Sequence, residues 1–389
     1  MKPLSTKLGR TEPSATLAVS DKARALKAQG RDVVALAGGD PDFITPAHII
    51  DAAEKAMRAG DTHYPASRGT PKLLEAIVAK LERENGLAAK PSQLIVAPGA
   101  KWALYLALAA ILDPGDEVIT LDPCWVSYGP MIALNDGVQV PVDLDPADGY
   151  RITEAGLRSG LTPRTKALIV NSPNNPTGRV ITRDEVEAVV RFAVANDLYV
   201  ISDEIYEHLL FDGRRHVCLA AEPGMADRTM IVNGFSKAYA MTGWRLGWLW
   251  APDAIATPAL NLHGQSVTSA ASFTMAAGVA ALNGPQDCIG EMVAAYAERR
   301  RFMVDALASI DGIECDAPDG AFYLFPRFPD TALDSVGIAN ALLERADIAA
   351  VPGIAFGRPG DRSVRFTIAT SMADLEKAAE RLAKVAPTL

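Results

Sequence analysis

Short apolar strands alternate with helices through the middle of this chain, and that alternation limits the folds that are open to it. Seven segments rich in Val, Ile and Leu read as strands with little alternation of polar and apolar residues. Such segments are typical of strands that are buried on both faces of a parallel sheet. The series therefore predicts a doubly wound α/β domain. The predicted strands are 93–97, 117–121, 138–142, 167–171, 198–202, 229–233 and 246–250.

The chain changes character after about residue 285. A long, charged helix is predicted over 285–310, and scattered short strands and a closing helix over 374–385 follow it. This mixture is typical of an α+β domain. We therefore predict a large domain over 46–284. The N-terminal segment 1–45 and residues 285–389 are predicted to form a smaller α+β domain.

The composition argues against several classes of protein. The net charge is −9 and no basic run occurs, so nucleic-acid binding has little support. The four cysteines form no CxxC pair and the five histidines no HExxH, so we expect neither a disulfide framework nor a metal site. The N-terminus lacks the apolar core of a signal peptide, and the longest apolar run, 102–112, is too short to cross a bilayer. These features predict a cytoplasmic protein with no membrane partner.

Polar and aromatic residues follow five of the predicted strands. The carboxyl ends of parallel strands meet at one edge of a sheet, where α/β proteins bind their ligands. One of these groups begins a helix, whose backbone N–H groups and dipole could hold a phosphate. Tyr206 is expected one helical turn after Asp203. The residues are Gly99, Ala100 and Lys101 at the helix start, then Trp125, Asn175, Asp203, Tyr206 and Lys237.

Lys237 lies directly after the strand 229–233, among small residues. A crowded, partly apolar pocket disfavours the ammonium form and leaves a nucleophilic amine, as Schiff-base chemistry with an aldehyde requires. Ser236 and Arg245 could bind a phosphate in the same pocket. An aldehyde and a phosphate on one cofactor indicate pyridoxal 5′-phosphate (PLP). The alternative for Lys237 is an ordinary solvated loop lysine.

Asp203, Arg365 and a glycine pair each allow two interpretations. A carboxylate after so apolar a strand is costly unless it is paired, and Asp203 could pair with a protonated pyridine nitrogen or cap a helix. Arg365 lies in an apolar predicted strand, so it could bind a substrate carboxylate or form a salt bridge within the protein. Gly38 and Gly39 could admit a ligand to the backbone or form an ordinary turn.

Three motifs together resemble one known family. They are SPNNPTG at 172–178, SDEIY at 202–206 and SKAYAMTGWRLG at 236–247. Their order and spacing resemble those of the class I, fold type I, PLP-dependent aminotransferases, in the bacterial aspartate aminotransferase branch. The resemblance extends from about residue 13 to the C-terminal helix. It implies a large, doubly wound, mostly parallel sheet domain with a smaller α+β domain.

The resemblance implies a role for each cofactor residue. Lys237 would form the internal aldimine with PLP and later shuttle the substrate α-proton. Asp203 would hold the pyridine nitrogen protonated, and Trp125 would stack on the ring. The remaining groups would be Asn175 and Tyr206 at the 3′ oxygen, and the backbone at Gly99, Ala100 and Lys101 with Ser236 and Arg245 at the phosphate.

The resemblance also implies how substrate and a second subunit bind. Arg365 would bind the α-carboxylate, helped by the backbone at Gly39 and by Asn175, with Trp125 beside the substrate. Tyr64 would reach the phosphate of the neighbouring subunit. The protein would therefore be a homodimer with shared active sites, acting on an amino acid and a 2-oxo acid.

The choice of substrate is the least constrained expectation. In this branch the residues that match Lys101, Ser14 and Thr16 are associated with the distal carboxylate of dicarboxylic substrates, which favours aspartate with 2-oxoglutarate as acceptor. The segment 63–68 departs from the branch, and Trp102 would place a bulky ring beside Lys101. An aminotransferase for aromatic or other non-acidic amino acids therefore stays open. A PLP-dependent C–S lyase is the other alternative, because the same cofactor chemistry can eject a β-substituent.

Overall fold

A computed structural model of the protein describes residues 3–11, 13 and 15–389. Within these residues the two helices predicted over 285–310 and 374–385 are observed over Asp287–Ala308 and Met372–Val385. The strands are β1 (Val34–Ala35), β2 (Leu94–Ala97), β3 (Glu117–Asp122), β4 (Val138–Asp143), β5 (Thr165–Asn171), β6 (Tyr199–Asp203), β7 (Thr229–Gly234), β8 (Gly247–Trp250), β9 (Tyr323–Leu324), β10 (Ile348–Ala349), β11 (Val351–Pro352) and β12 (Val364–Thr367). The helices are α1 (Ala15–Ala28), α2 (Ala47–Arg58), α3 (Pro71–Asn85), α4 (Ala100–Ile111), α5 (Tyr128–Leu134), α6 (Glu154–Ser159), α7 (Arg183–Ala195), α8 (Asp253–Ser266), α9 (Ser272–Asn283), α10 (Asp287–Ala308), α11 (Ser335–Ala346) and α12 (Met372–Val385).

The seven predicted strands form one sheet, in the order β2-β8-β7-β6-β5-β3-β4. Each observed strand begins and ends within two residues of the predicted bounds. β8 runs antiparallel to both of its neighbours, and the other adjacent pairs are parallel. The edge strand β4 carries Pro141, which has no N–H to donate to a further ladder. The prediction of a mostly parallel α/β sheet is confirmed.

Helices cover both faces of this sheet, which explains why its strands lack polar alternation. In β6, Ile201 packs in a core with α4 and α8, whereas its neighbour Val200 packs in another core with α7. Burying a Val or Ile side chain fully contributes about 1.5–3 kcal/mol, so both faces stabilise the strand. The carboxyl ends of the parallel strands are thereby held at one edge.

The smaller part of the molecule combines the N-terminal segment with the C-terminal third. β1 pairs in parallel with β10, and β11, β12 and β9 form an antiparallel sheet. Val34 and Leu36 share a core with Tyr296 of α10 and Leu382 of α12. The domain boundaries at 45/46 and 284/285 stay a prediction. Among the described residues, none of the helices combines the length and the apolar composition that a bilayer span requires.

Candidate active site

One cavity of about 440 Å³ opens at the carboxyl ends of the parallel strands. Most of the candidate residues line it, although they come from strand ends that are far apart in the sequence. Residues of the N-terminal segment and of β12 close its other side. The candidates in its wall are Thr16, Gly39, Ala100, Lys101, Trp125, Asn175, Asp203, Tyr206, Ser236, Lys237, Arg245 and Arg365.

Lys237 is half-buried just after β7, and its ammonium group is held within the cavity. Its Nζ donates a hydrogen bond to the carbonyl oxygen of Gly39 at 2.5 Å, and lies 6.0 Å from the ring centroid of Tyr206. Burial lowers the pKa of Lys237 to about 8, although the nearby Asp40 acts in the opposite direction. This lysine is therefore not an ordinary solvated loop residue, and a part of it carries no proton at neutral pH.

Asp203 ends β6 and is buried at the base of the cavity. Its Oδ2 accepts a hydrogen bond from the hydroxyl of Tyr128 at 2.7 Å. Burial raises the pKa of Asp203 to about 6, although the bond from Tyr128 favours the carboxylate. The chain continues as a turn and not as a helix, so Asp203 is no helix N-cap. Tyr206 correspondingly lies in this turn, and the expectation of a helix there was wrong.

Arg365 is 1% exposed and lies in the middle of β12. Its guanidinium donates to Oδ1 of Asn175 at 2.9 Å and to the carbonyl of Ala37 at 2.8 Å, and it lies 4.3 Å from the ring centroid of Tyr323. Its Nε has no hydrogen-bond partner, and no carboxylate of the described residues pairs with it. The alternative of a salt bridge within the chain therefore does not hold in the described part of the protein. Burial lowers the pKa of this guanidinium because no anion compensates it.

The start of α4 and the side chain of Arg245 form a cradle beside the cavity. Gly99 has φ +89°, and a Cβ at this position would lie 2.5 Å from Nη2 of Arg245, so only glycine fits. The first N–H groups of a helix have no acceptor within the helix, and its N-terminus favours anions. Ala100 and Lys101 are these first residues. Together with Ser236, the cradle presents donors and positive charge to a small anion.

Lys101 and Trp125 lie together in the cavity wall, whereas Trp102 lies elsewhere. Lys101 Nζ is 5.0 Å from the ring centroid of Trp125. Trp102 donates from Nε1 to Nδ1 of His263 at 3.0 Å and stacks on Tyr105. Successive residues of a helix point about 100° apart, which turns Trp102 away from the cavity. The bulky ring expected beside Lys101 therefore lies outside the cavity wall.

Gly99 and Tyr64 are described candidates that do not line this cavity. Ser14 falls outside the described residues. Tyr64 is 86% exposed and does not line the cavity of its own chain. Thr16 does line it, and the neighbouring Leu17 adds an apolar group that is 63% exposed.

Sequence reasoning missed several residues of the cavity and its second layer. Tyr128 holds Asp203, and the hydroxyl of Tyr323 bonds that of Tyr206 at 2.9 Å. Asp40 lies in the wall near Lys237. Tyr128 could have been suspected because it begins α5 only three residues after Trp125. Tyr323 gave no such signal, because a tyrosine in an apolar strand is normally part of the core.

Comparisons with known proteins agree with this geometry. A model of the family described as aminotransferase class I and II matches residues 31–382. An aspartate aminotransferase of Geobacillus stearothermophilus is 43% identical over 387 residues, which cover 97% of this chain and 98% of that protein. An aspartate/prephenate aminotransferase of Thermus thermophilus is 43% identical, with 99% of each chain covered. A solved structure of aspartate aminotransferase from Thermus thermophilus with maleate matches with a TM-score of 0.94 at 43% identity, covering 99% of this chain and 100% of that one. The chain therefore belongs to the class I and II aminotransferase family and is a transaminase.

Proposed function

We propose that this transaminase uses PLP to transfer the amino group of L-aspartate to 2-oxoglutarate. One observation carries the proposal. A partly deprotonated lysine, Lys237, shares a cavity with a buried carboxylate, Asp203, and with a buried guanidinium, Arg365, that has no carboxylate partner among the described residues. Buried charges without partners are costly, and they are typical of sites that bind charged ligands.

The residues of the cavity fit this cofactor. The cradle at Gly99 suits a phosphate, because a side chain there would fill the space beside Arg245. The buried carboxylate of Asp203 suits a protonated ring nitrogen, and Lys237 offers an amine to an aldehyde. The residues that would hold PLP are Ala100, Lys101, Ser236 and Arg245 at the phosphate, Asp203 at the ring nitrogen, Asn175 and Tyr206 at the ring oxygen, and Trp125 at the ring face.

When bound, PLP supplies an aldehyde that condenses with amines and a ring that withdraws electrons from the substrate α-carbon. Lys237, with a pKa of about 8, can accept the α-proton at Nζ and return it as general acid. Asp203, with a pKa of about 6, stays mostly ionised at neutral pH and favours a proton on the ring nitrogen. The carboxylate of Asp203 therefore contributes by electrostatics and not by proton transfer.

Arg365 orients the substrate. A guanidinium binds a carboxylate through two parallel hydrogen bonds, which fixes both position and plane. The bond from Arg365 to Asn175 Oδ1 restricts the rotation of the guanidinium before substrate arrives. The same bond occupies the amide oxygen of Asn175, so its Nδ2 is the group that can donate to the cofactor.

Lys101 supports a dicarboxylic substrate. No carboxylate of the described residues pairs with it, and partial burial and the nearby Arg245 lower its pKa, so an anion in this region would be stabilised. Thr16 adds a hydroxyl to the same cavity. The related enzyme from Thermus thermophilus was solved with maleate, a dicarboxylate, which supports the same preference.

A larger substrate is the second candidate. Leu17 lines the cavity with an apolar side chain that is 63% exposed, and Trp102 does not narrow the cavity. The Thermus thermophilus relative is named an aspartate/prephenate aminotransferase. A substrate with both a distal carboxylate and a bulky apolar part would use Lys101 and Leu17 together.

We also propose that the protein acts as a homodimer in the cytoplasm. Tyr64 is 86% exposed, so its side chain is available to a second copy of the chain. A tyrosine hydroxyl from a partner could complete the phosphate cradle, which opens beside Arg245. The cysteines are free, which is compatible with a reducing compartment.

Visible spectroscopy of the PLP-loaded protein tests the proposed function. L-Aspartate should bleach the band of the bound cofactor, and 2-oxoglutarate should restore it. A band that responds to phenylalanine or prephenate-derived amino acids but not to aspartate would show that the reaction is transamination and that aspartate is not the substrate. Release of pyruvate and ammonia from cystathionine, without recovery by an oxo acid, would indicate a lyase. A protein that takes up no PLP would refute the proposal.

A further inference from the structure

A second group of buried charges lies behind the cavity, and the proposed mechanism does not use it. Glu204 and Glu207 follow β6 and are 0% and 6% exposed, and Lys80 of α3 is 2% exposed. Unpaired charges at such depth are costly, so their arrangement calls for a reason. We name as the buried charge cluster the residues Lys80, Asn85, Glu204, Glu207, His216 and Asn233.

Glu207 is the centre of the cluster. Its carboxylate accepts hydrogen bonds from the ammonium of Lys80, from Nδ2 of Asn85 at 3.0 Å and from Nδ2 of Asn233 at 2.6 Å. Lys80 also donates to Oδ1 of Asn85 at 2.7 Å. Lys80 and Asn85 belong to α3, and Asn233 belongs to β7. One side chain of the turn after β6 is therefore fixed to two other elements.

Glu204 is the second anchor of the same turn. Its Oε1 accepts from the hydroxyl of Ser202 at 2.9 Å, and its Oε2 lies 3.0 Å from Nε2 of His216. Its backbone N–H donates to the carbonyl of Val232 in β7 at 2.9 Å. Glu204 and Glu207 thus hold the turn from behind.

The front of this turn is the candidate active site. Asp203 and Tyr206 line the cavity, whereas the residues that follow each of them, Glu204 and Glu207, enter the cluster. We propose that Glu207 is a positioning residue, whose bonds to α3 and β7 fix the turn that presents Asp203 and Tyr206 to the cofactor. The effect on cofactor binding rests on the proposed use of PLP, whereas the anchoring of the turn does not depend on the cofactor.

The cluster could also be interpreted as a metal site. Ligand atoms of Glu204, Glu207 and His216 lie within 4.8 Å of one another. The ammonium of Lys80 already bonds the carboxylate of Glu207, however, and supplies the positive charge that a metal ion would bring. An internal cation favours a structural ion-pair network over a metal centre.

The positioning should depend on pH through His216. Glu204, Glu207 and Lys80 face its ring, and His208 and Glu84 lie at the edge of the cluster. Burial acts to lower the pKa of His216, but the nearby carboxylates of Glu204 and Glu207 outweigh it, so the pKa is raised. A raised pKa means that the pair with Glu204 stabilises the fold at low pH and is lost as the pH rises through that value.

The test compares Glu207→Gln with Glu185→Gln in the protein without PLP. Glu185 is a matched control, since it is 1% exposed and pairs with Arg179, but belongs to α7. Hydrogen exchange followed by mass spectrometry should show that the peptide over 203–209 exchanges about tenfold faster in Glu207→Gln and normally in Glu185→Gln. Removing an outer-layer partner of a metal ligand typically costs about 10–100-fold in metal affinity or activity. By the same reasoning, PLP should bind at least about tenfold more weakly to Glu207→Gln, and normally to Glu185→Gln.

The outcomes separate this inference from the proposed function. Normal exchange and normal PLP affinity in folded Glu207→Gln would refute the positioning role, and so would faster exchange with unchanged affinity. A wild-type protein that binds no PLP would refute the proposed function, while unchanged exchange in Glu207→Gln would still refute the anchoring. If Glu207→Gln does not fold, Asn85→Ala removes one donor and should show the same changes at smaller size. In the wild type, exchange over 203–209 should rise with pH by more than the intrinsic rate of amide exchange does. This extra rise should disappear in His216→Gln, and its persistence would exclude His216 as the group responsible.

Discussion

The cavity and the buried charge cluster lie on opposite sides of one turn, and they differ in whether their buried charges are paired with opposite charges. In the cavity, Arg365 and Asp203 have no opposite charge bonded to them among the described residues. In the cluster, Glu207 bonds Lys80 and Glu204 lies 3.0 Å from His216. Paired charges hold a structure together, whereas unpaired ones are free to bind a charged ligand.

The two carboxylates of the turn show the difference in their pKa values. Burial raises the pKa of Asp203 to about 6, although the Tyr128 hydroxyl, the backbone N–H of Ile205 and the charge of Lys237 oppose it. Burial also acts to raise the pKa of Glu207, but Lys80 and the two nearby histidines lower it well below its ordinary range. Asp203 and Glu207 are both buried, yet the pKa of Asp203 is raised and that of Glu207 is lowered. The charged partners of each carboxylate therefore decide the direction of its shift.

The largest expected effect is on turnover, and it distinguishes Lys237 of the cavity from Lys80 of the buried charge cluster. Lys237→Ala removes the base and the amine, so turnover of aspartate with 2-oxoglutarate should fall by about 10⁴-fold or more, because general acid–base catalysis alone contributes up to about 10⁴. Lys80→Met should chiefly lower the melting temperature, because it leaves Glu207 buried without its cation. Rates of oxaloacetate formation and thermal melts measure both. Turnover of Lys237→Ala within tenfold of wild type would contradict the distinction.

Arg365 should be the next most sensitive position. Arg365→Met loses two charge-assisted hydrogen bonds of about 1.5–3 kcal/mol each, so kcat/KM for aspartate should fall by about 10²–10⁴-fold. Most of the loss should appear in KM, with PLP affinity retained. The control is Arg164→Met, since Arg164 pairs with Glu117 away from the cavity. An unchanged KM for aspartate would remove Arg365 from the substrate site.

The stabilities of two isosteric variants should change in opposite directions. Raising the pKa of Asp203 to about 6 costs the fold about 3 kcal/mol at neutral pH, so Asp203→Asn should stabilise the protein without PLP by up to that amount. Glu207→Gln should destabilise it by about 3 kcal/mol, because Lys80 loses its partner. The gain in Asp203→Asn should vanish as the pH falls from 6 towards 4, since Asp203 is then protonated in both states. Urea unfolding at several pH values checks the signs, and two changes of equal sign would break the comparison.

Most of the sheet and the main residues of the cavity could be predicted from the sequence. Strands buried on both faces need unbroken apolar runs, and a parallel sheet brings their carboxyl ends to one edge. That reasoning alone placed Lys237, Asp203 and Asn175 near one another. The N-terminal strand pairs in parallel with β10, and Arg365 lies in the small antiparallel sheet of β11, β12 and β9. Most of these strands have only two residues and leave little pattern to read.

The hydrogen-bond partners of the predicted residues could not be predicted from the sequence in the same way. Tyr128 bonds Asp203 across 75 positions, and Lys80 bonds Glu207 across 127. Such pairs follow from how helices pack on the sheet, which no local pattern encodes. Trp102 shows the same limit at short range, because one step along a helix turned its ring from the cavity to His263.

The smallest expected effect concerns Lys101, an exposed cation of the cavity wall. Lys101→Leu should raise the KM for aspartate by about tenfold, since an exposed charge pair is screened by water and contributes modestly. The KM for alanine should stay the same, because alanine has no distal carboxylate, and a bulky apolar substrate should bind better beside Leu17. Equal changes for aspartate and alanine would place Lys101 at the phosphate only. The contrast with Arg365 would then depend on ligand contact and not on depth, because neither cation pairs with a carboxylate of the described residues and only Arg365 is fully buried.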